Sequence, residues 1–123
     1  MPKSTVEKGK WGEEVALEYL KRKGYKILFQ NWRAERGDID LIVQDGPCIA
    51  FVEVKTGSTE EYGPPELRIT PGKKRQLVKL ATAFLQQAEE YQLTNESYRF
   101  DVVVIDGTRR KYQIRHYENA FTA

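Results

Sequence analysis

The sequence predicts a small α/β domain in which helices flank a mixed central sheet, with the elements in the order αβββαββ. Two segments repeat apolar residues at the spacing of an amphipathic helix, and five shorter segments rich in β-branched and aromatic residues lie between turn signals. One of the five, residues 102–105, is an unbroken run of Val and Ile, which is typical of a strand covered on both faces. With 123 residues the chain has the length of one domain, and we expect residues 1–123 to form it.

The first half of the chain is predicted to contain one helix and three strands. The helix runs from about Glu7 to Lys23, and Gly24 is expected to end it as a C-cap. Because residues 45–47 read Asp-Gly-Pro, a typical reversal sequence, the strands on either side of them are expected to form a hairpin. The strands are predicted at residues 25–33, 38–44 and 48–55, with a turn at 34–37.

The second half of the chain is predicted to begin with a long loop. Residues 56–69 contain two Gly, two Pro and few apolar side chains, so we expect a mobile loop that becomes ordered on substrate. Thr70 and Pro71 are the expected N-cap and first residue of a second helix. Strands are expected at residues 99–106 and, at an edge, at 111–117. The apolar stripe of the second helix consists of Leu77, Leu80, Ala81, Phe84, Ala88 and Tyr91.

The composition excludes several classes of protein. One Cys and one His are too few for a disulfide framework or for a zinc site built from thiolates and imidazoles. No purely apolar run exceeds five residues, so we expect no membrane span and a cytoplasmic location. The net charge of +2 neither requires nor excludes a polyanionic partner.

Carboxylates interrupt the predicted hairpin in register with each other. If the residues that flank Gly46-Pro47 pair, Asp40 lies opposite Glu53, with Cβ atoms about 5 Å apart, and Asp38 lies opposite Lys55. The two-residue period of a strand also places Glu53 and Lys55 on one face. Two carboxylates and an ammonium group are therefore expected to converge beside a core strand.

Facing carboxylates repel unless one is protonated or a cation lies between them. Mg²⁺, or Mn²⁺ in its place, suits oxygen ligands, and we identify Asp40 and Glu53 as candidate metal ligands. A bound ion of this kind polarises a phosphate while Lys55 holds water or neutralises developing charge, which indicates phosphodiester hydrolysis. The alternative is a surface ion pair between Lys55 and Asp38, with Asp40 and Glu53 solvated at a strand end.

One carboxylate lies on the apolar side of the first helix. At 100° per residue, Glu13 falls between Leu17 and Leu20, and a carboxylate that faces a core costs several kcal/mol unless it is paired or coordinated. Either Glu13 caps the helix or bonds a tyrosine, or it reaches the Asp40/Glu53 cluster as a fourth catalytic group.

Basic residues cluster in two parts of the chain. Lys73, Lys74 and Arg75 occupy the first turn of the second helix, where the helix dipole disfavours cations unless an anion is bound. Together with Arg33 and Arg36 they are our candidate nucleic-acid-binding residues. The alternative is that these side chains simply form solvated surfaces.

Taken together, these motifs resemble those of the PD-(D/E)-x-K nuclease superfamily. Nearly the whole chain is similar to the small YraN-like family of uncharacterised bacterial proteins, which itself resembles archaeal Holliday junction resolvases. Two positions depart from the usual pattern: Ile39 replaces the superfamily's Pro, and Asp38 stands where YraN-like chains more often have Glu, which leaves Asp38 an optional metal or outer contact. The motifs that carry the resemblance are Gly12-Glu13, Lys23-Gly24-Tyr25, Asn31-Trp32-Arg33, residues 37–42, residues 51–55 and residues 99–103.

The resemblance implies a restriction-endonuclease-like core with an intact site. In that site Asp40 and Glu53 bind Mg²⁺, Lys55 supports the attacking water and Glu13 completes the acidic group. Resolvase relatives act as homodimers on branched DNA, so the resemblance also implies a homodimer and DNA, branched DNA included, as the substrate.

Three hypotheses about function follow from the sequence. The first is a Mg²⁺- or Mn²⁺-dependent DNA endonuclease that uses Glu13, Asp40, Glu53 and Lys55. The second is a nucleic-acid-binding protein that keeps the nuclease fold without turnover, for which binding is strongly salt-dependent and independent of metal. The third is a protein-interaction domain without affinity for DNA at low salt.

Overall fold

The computed structural model describes residues 5–34, 37–58, 69–95 and 97–122, with the backbone alone described for residues 5–9. The described parts contain two helices and five strands in the predicted order, so the predicted α/β class is confirmed. Both helices lack the length and apolar character that crossing a membrane would take, in the parts of the chain described. The elements are α1 (Thr5–Arg22), β1 (Lys26–Ala34), β2 (Gly37–Asp45), β3 (Cys48–Gly57), α2 (Pro71–Gln86), β4 (Ser97–Gly107) and β5 (Tyr112–Phe121).

The five strands form one mixed sheet in the order β1-β2-β3-β4-β5. Each neighbouring pair is antiparallel except β3 and β4, which are parallel and are connected through α2. The expected edge strand is confirmed, since β5 has β4 as its one neighbour in the described sheet. The parallel pair at the centre places the ends of β3 and β4 at the same end of the sheet.

Apolar side chains are buried on both faces of the sheet. On one face α1 contributes Trp11, Ala16 and Leu20 to a core shared with the central strands. On the other face α2 contributes Leu77 and Phe84, among others. Residues 100–105 of β4 are all buried, as expected for a strand covered on both faces.

The two helix ends that the sequence marks most clearly form as predicted. After α1, Gly24 has φ of 90°, its N–H bonds the carbonyl of Lys21, and the N–H of Tyr25 bonds that of Leu20, which is the Schellman arrangement. Before α2, the side chain of Thr70 accepts a hydrogen bond from the N–H of Lys73 at 3.1 Å.

The structure corrects the predicted loop and the end of the second helix. Of residues 56–69, Thr56 and Gly57 continue β3, and Ile69 is a core residue packed on β4. Residues 59–68, on which the expected mobility mainly depends, lie outside the described part of the chain. Helix α2 ends at Gln86, so Tyr91 reaches the core from the following turns, where its ring stacks on Phe84 at 5.3 Å.

Candidate active site

Strands β2 and β3 separate where Asp40 lies. Their ladder runs from Asp45 and Cys48, as expected, to Leu41 and Val52. One residue further, Asp40 Oδ2 accepts a hydrogen bond of 2.8 Å from the N–H of Val54. The side chain of Asp40 thus takes the place of a backbone acceptor. The described ladder ends at Leu41 and Val52, so it contains neither the expected pair of Asp40 with Glu53 nor that of Asp38 with Lys55.

The structure nevertheless brings the carboxylates of Asp40 and Glu53 together. Glu53 is 6% exposed. Burial raises the pKa of its carboxyl group to about 7, and the negative charge of Asp40 adds to this effect. The pKa of Asp40 is also raised, first by burial and further by Asp38, while the hydrogen bond from Val54 opposes the shift. Asp38 therefore lies near enough to add negative charge to the cluster.

Two lysines balance part of this charge. Lys55 Nζ lies 3.5 Å from Glu53 Oε1, and Lys73 Nζ, from the first turn of α2, lies 3.7 Å from the same oxygen. The other oxygen, Glu53 Oε2, is buried and has no hydrogen-bond partner among the described residues. The alternative in which Lys55 pairs with Asp38 and Glu53 is solvated is therefore wrong.

Glu13 reaches the cluster from α1. Burial, followed by the charge of Asp40, raises the pKa of Glu13 to about 7, and a hydrogen bond with Asn31 opposes the shift. Gly12 allows this approach, because a Cβ at that position would overlap Thr56 Oγ1 of β3 and lie 2.8 Å from Thr56 Cβ. Gly12 thus lets α1 lie directly against β3, and Glu13 is the next residue of the helix.

The donor set fits a hard divalent cation that keeps several waters. In the described ranges, no group of three or more His, Cys, Asp or Glu side chains is arranged so that it could hold a metal ion. Mg²⁺ does not require one, since it is commonly held by one or two carboxylates and water. Glu53 Oε2 has no hydrogen-bond partner among the described residues, and it belongs to a carboxyl group on which the charge of Asp40 acts, so it is an oxygen that such an ion would satisfy. Asp40 and Glu53 are the residues that could hold it.

The basic residues singled out in the sequence do not form one cluster. Lys73 joins the acidic group, whereas Lys74 Nζ lies 5.6 Å from the centre of the Phe121 ring and faces β5. Arg75 is exposed and lines a groove between α2 and the end of β1. Arg33 is exposed on β1, where its Cα pairs with that of Asp38. Arg36 lies outside the described residues.

Sequence reasoning missed two contacts at the site. It treated Lys73 only as a candidate DNA-binding residue, because periodicity gave no distance between the start of α2 and Glu53. It gave Asn31 no role, yet Asn31 has φ of 51° and bonds Glu13. An Asn inside a predicted strand was the available signal, since Asn tolerates left-handed backbone better than most residues.

A second polar cluster surrounds Asp101, which is fully buried in β4. Its carboxylate accepts hydrogen bonds from Arg99 Nε at 2.9 Å and the N–H of Asn119 at 3.0 Å, and lies 2.8 Å from His116 Nε2. Burial acts to raise the pKa of Asp101, but these hydrogen bonds and the charge of Arg99 hold it below its usual value. Arg99 also bonds Asp45, at the end of β2 opposite to Asp40. This cluster therefore joins β2, β4 and β5.

Comparison with known proteins gives consistent matches over most of the chain. The model of a family described as "Uncharacterised protein family UPF0102" matches residues 12–105. A UPF0102 protein of Geobacter metallireducens is 45% identical over 113 residues, which cover 92% of this chain and 90% of that protein. One from Sulfurihydrogenibium sp. is 43% identical, covering 95% and 96%, and one from Thermodesulfovibrio yellowstonii is 41% identical, covering 94% and 96%.

Proposed function

The chain belongs to the uncharacterised protein family UPF0102, and from the geometry of its acidic cluster we propose that it is a metal-dependent endonuclease that hydrolyses phosphodiester bonds in DNA. The observation that carries the proposal is the buried, unpartnered Glu53 Oε2 beside the carboxylate of Asp40. A cluster of carboxylates whose negative charge is only partly neutralised by nearby lysines favours the binding of a cation. We assign Mg²⁺ or Mn²⁺ to Asp40 and Glu53.

The other side chains of the cluster have roles consistent with hydrolysis. A divalent ion held there supplies Lewis acidity toward a phosphate oxygen. Lys55, beside Glu53, can orient a water molecule and neutralise the charge that develops on the phosphate. Burial and the charge of Asp40 raise the pKa of Glu13 to about 7, so its protonated carboxyl group can donate a hydrogen bond to Asp40 and fix the orientation of that carboxylate. Lys73 adds a second positive charge to the site, next to the face of α2 that carries Arg75.

A cleavage screen tests this proposal directly. The purified protein is incubated with duplex, flap and four-way-junction DNA in the presence of Mg²⁺ or Mn²⁺, and products are resolved on denaturing gels. We expect cutting of at least one substrate, and a loss of rate on the order of 100-fold or more in Asp40→Asn and Glu13→Gln. Glu14→Gln is the matched control, because Glu14 is the next residue of α1 and is exposed. Cutting by Asp40→Asn at the normal rate would exclude the assigned site.

A second candidate function is binding of nucleic acid without turnover. It is favoured by the pKa values of Glu13 and Glu53, both about 7, because two carboxyl groups that are partly protonated at neutral pH allow the site to fold without a cation. Salt-sensitive binding in EDTA, with no cleavage of any substrate in either metal, would favour this function over the first.

Homodimer formation is part of the proposal and follows from the resemblance to resolvases alone. We expect sedimentation velocity to give a species of twice the chain mass, both without DNA and on a four-way junction. A monomer in both conditions would remove the dimer from the proposal and leave the acidic site unaffected.

A further inference from the structure

The groove between α2 and the C-terminal end of β1 has the size and charge of a binding site. It encloses about 610 Å³, within the range of about 300–1,000 Å³ that is usual for ligand clefts. Arg75, Gln76 and Lys79 line it, together with Lys73, and no acidic residue is among the described residues of its lining. Ala34 and Leu80 add apolar surface. The groove thus combines basic side chains, which suit phosphate groups, with an apolar wall, which suits the sugars that join them.

The groove is continuous with the acidic site through Lys73. This side chain lines the groove and also lies 3.7 Å from Glu53 Oε1. Arg75 and Lys79 follow at i+2 and i+6 from Lys73 and are both exposed. Because they are four residues apart on one helix, they lie on the same side, about 6 Å apart along the axis. Successive phosphates of a strand that lies along the groove can therefore contact Arg75 and Lys79.

We propose that this groove binds the sugar-phosphate backbone of a single DNA strand next to the bond that is cut, with Arg75 and Lys79 on successive phosphates. The inference rests on the proposed function for its substrate, and it adds where the strand lies. The groove is large enough for part of one strand, so a single-stranded oligonucleotide is sufficient to test it.

Fluorescence anisotropy in EDTA tests the groove without any cleavage. The probe is a fluorescein-labelled single strand of about 20 nucleotides, titrated with wild type and with the double variant Arg75→Ala/Lys79→Ala at several salt concentrations. We expect the double variant to bind about tenfold or more weakly at moderate salt. We also expect the slope of log K against log salt to decrease by about 1.4, because two phosphate contacts are lost.

Arg22→Ala/Arg109→Ala is the matched control. It removes the same charge from a different cavity, on the face of the sheet that α1 covers, and both arginines are exposed. We expect its affinity to stay within about twofold of wild type. Equal weakening in the two double variants, or normal binding by Arg75→Ala/Lys79→Ala, would overturn the inference. The failure of cleavage in the screen above, with this binding difference intact, would overturn the endonuclease function and leave the groove.

Discussion

The carboxyl group of Glu53 is held where its charge is disfavoured. In the folded protein its pKa is about 7, against an ordinary value of 4.5, so the folded state keeps a proton that the unfolded chain releases. The free energy of unfolding is therefore expected to fall as the pH rises from about 4.5 to 7. The same argument applies to Glu13, although it is less deeply buried.

Removing this charge is expected to stabilise the metal-free protein at high pH. Glu53→Gln keeps the shape of the side chain and leaves no carboxylate to ionise. We expect its free energy of unfolding to exceed that of wild type by about 1–3 kcal/mol at pH 8 and to match it at pH 4.5. Urea unfolding in EDTA at the two pH values measures the difference.

The exposed neighbour of Glu13 provides the control for this measurement. Glu14→Gln removes a carboxylate from the same end of the molecule, at a position open to solvent. We expect it to change stability by less than about 0.5 kcal/mol at either pH. If Glu53→Gln is less stable than wild type at pH 8, its ion pairs with Lys55 and Lys73 outweigh the cost of burial, and the account of the site given above is wrong.

The acidic residues could be predicted from the sequence because local rules govern them. The period of a strand and the tight turn at Gly46 fix which residues of β2 and β3 come together, and this brought Asp40 close to Glu53. Lys73 and Asn31 could not be found in this way. Their contacts with Glu53 and Glu13 depend on how α2 and β1 pack against the sheet, and no local pattern encodes that packing.

Helix α1 contributes Glu13 to the site only because Gly12 lets it lie against β3. Gly12→Ala places a methyl group on the side chain of Thr56, so the helix must move or the strand must give way. We expect a loss of about 1–3 kcal/mol in the free energy of unfolding. We also expect slower cleavage than the stability loss explains, because the displacement moves Glu13 away from Asp40. Urea unfolding and the cleavage assay measure the two effects.

A second substitution separates this close approach from a general effect of alanine. The atoms that the new methyl group would meet are Oγ1, Cβ and Cγ2 of Thr56, and Thr56→Gly removes all three. We expect the double variant Gly12→Ala/Thr56→Gly to be more stable than the sum of the single losses predicts. Strict additivity would show that the helix and the strand do not meet in the way the structure describes.

The elements themselves were predictable to the extent that their signals are local. Gly24 and Thr70 mark helix ends by chemistry that needs no tertiary contact, and both ends lie where the sequence indicates. The tail of α2 was not predictable, since Tyr91 keeps the apolar spacing but belongs to the turns after Gln86. Ile69 was missed for a related reason. A single apolar residue at the end of a polar segment has no periodicity to mark it, and β4 supplies its contacts.

The two polar clusters are centred on neighbouring positions of the sheet, since Asp101 pairs with Val52 and Val102 pairs with Glu53. They differ in how completely the protein satisfies them. Around Asp101, charge is matched by Arg99 and by hydrogen bonds, so its carboxylate ionises more readily than usual. Around Glu53, a buried oxygen lacks a partner and ionisation is disfavoured. Natural folds rarely leave such a group unsatisfied without a functional reason. This contrast within one sheet supports our proposal that the cluster around Glu53 binds a cation.

Binding of a cation at that cluster should therefore stabilise the whole fold, since a ligand that binds the native state alone adds RT ln(1 + [L]/Kd) to the free energy of unfolding. At a concentration about 100-fold above Kd, Mg²⁺ or Mn²⁺ is expected to add about 2.7 kcal/mol, which raises the melting temperature by several degrees. The increase should be larger at pH 8 than at pH 6, because Glu53 must lose a proton that it keeps until about pH 7. Differential scanning fluorimetry at both pH values measures it, and Asp40→Asn should abolish it while Glu14→Gln retains it. An equal increase in Asp40→Asn would mean that the metal binds elsewhere on the molecule. The buried, partly unpaired carboxyl groups of the cluster would then have no bound cation to account for them.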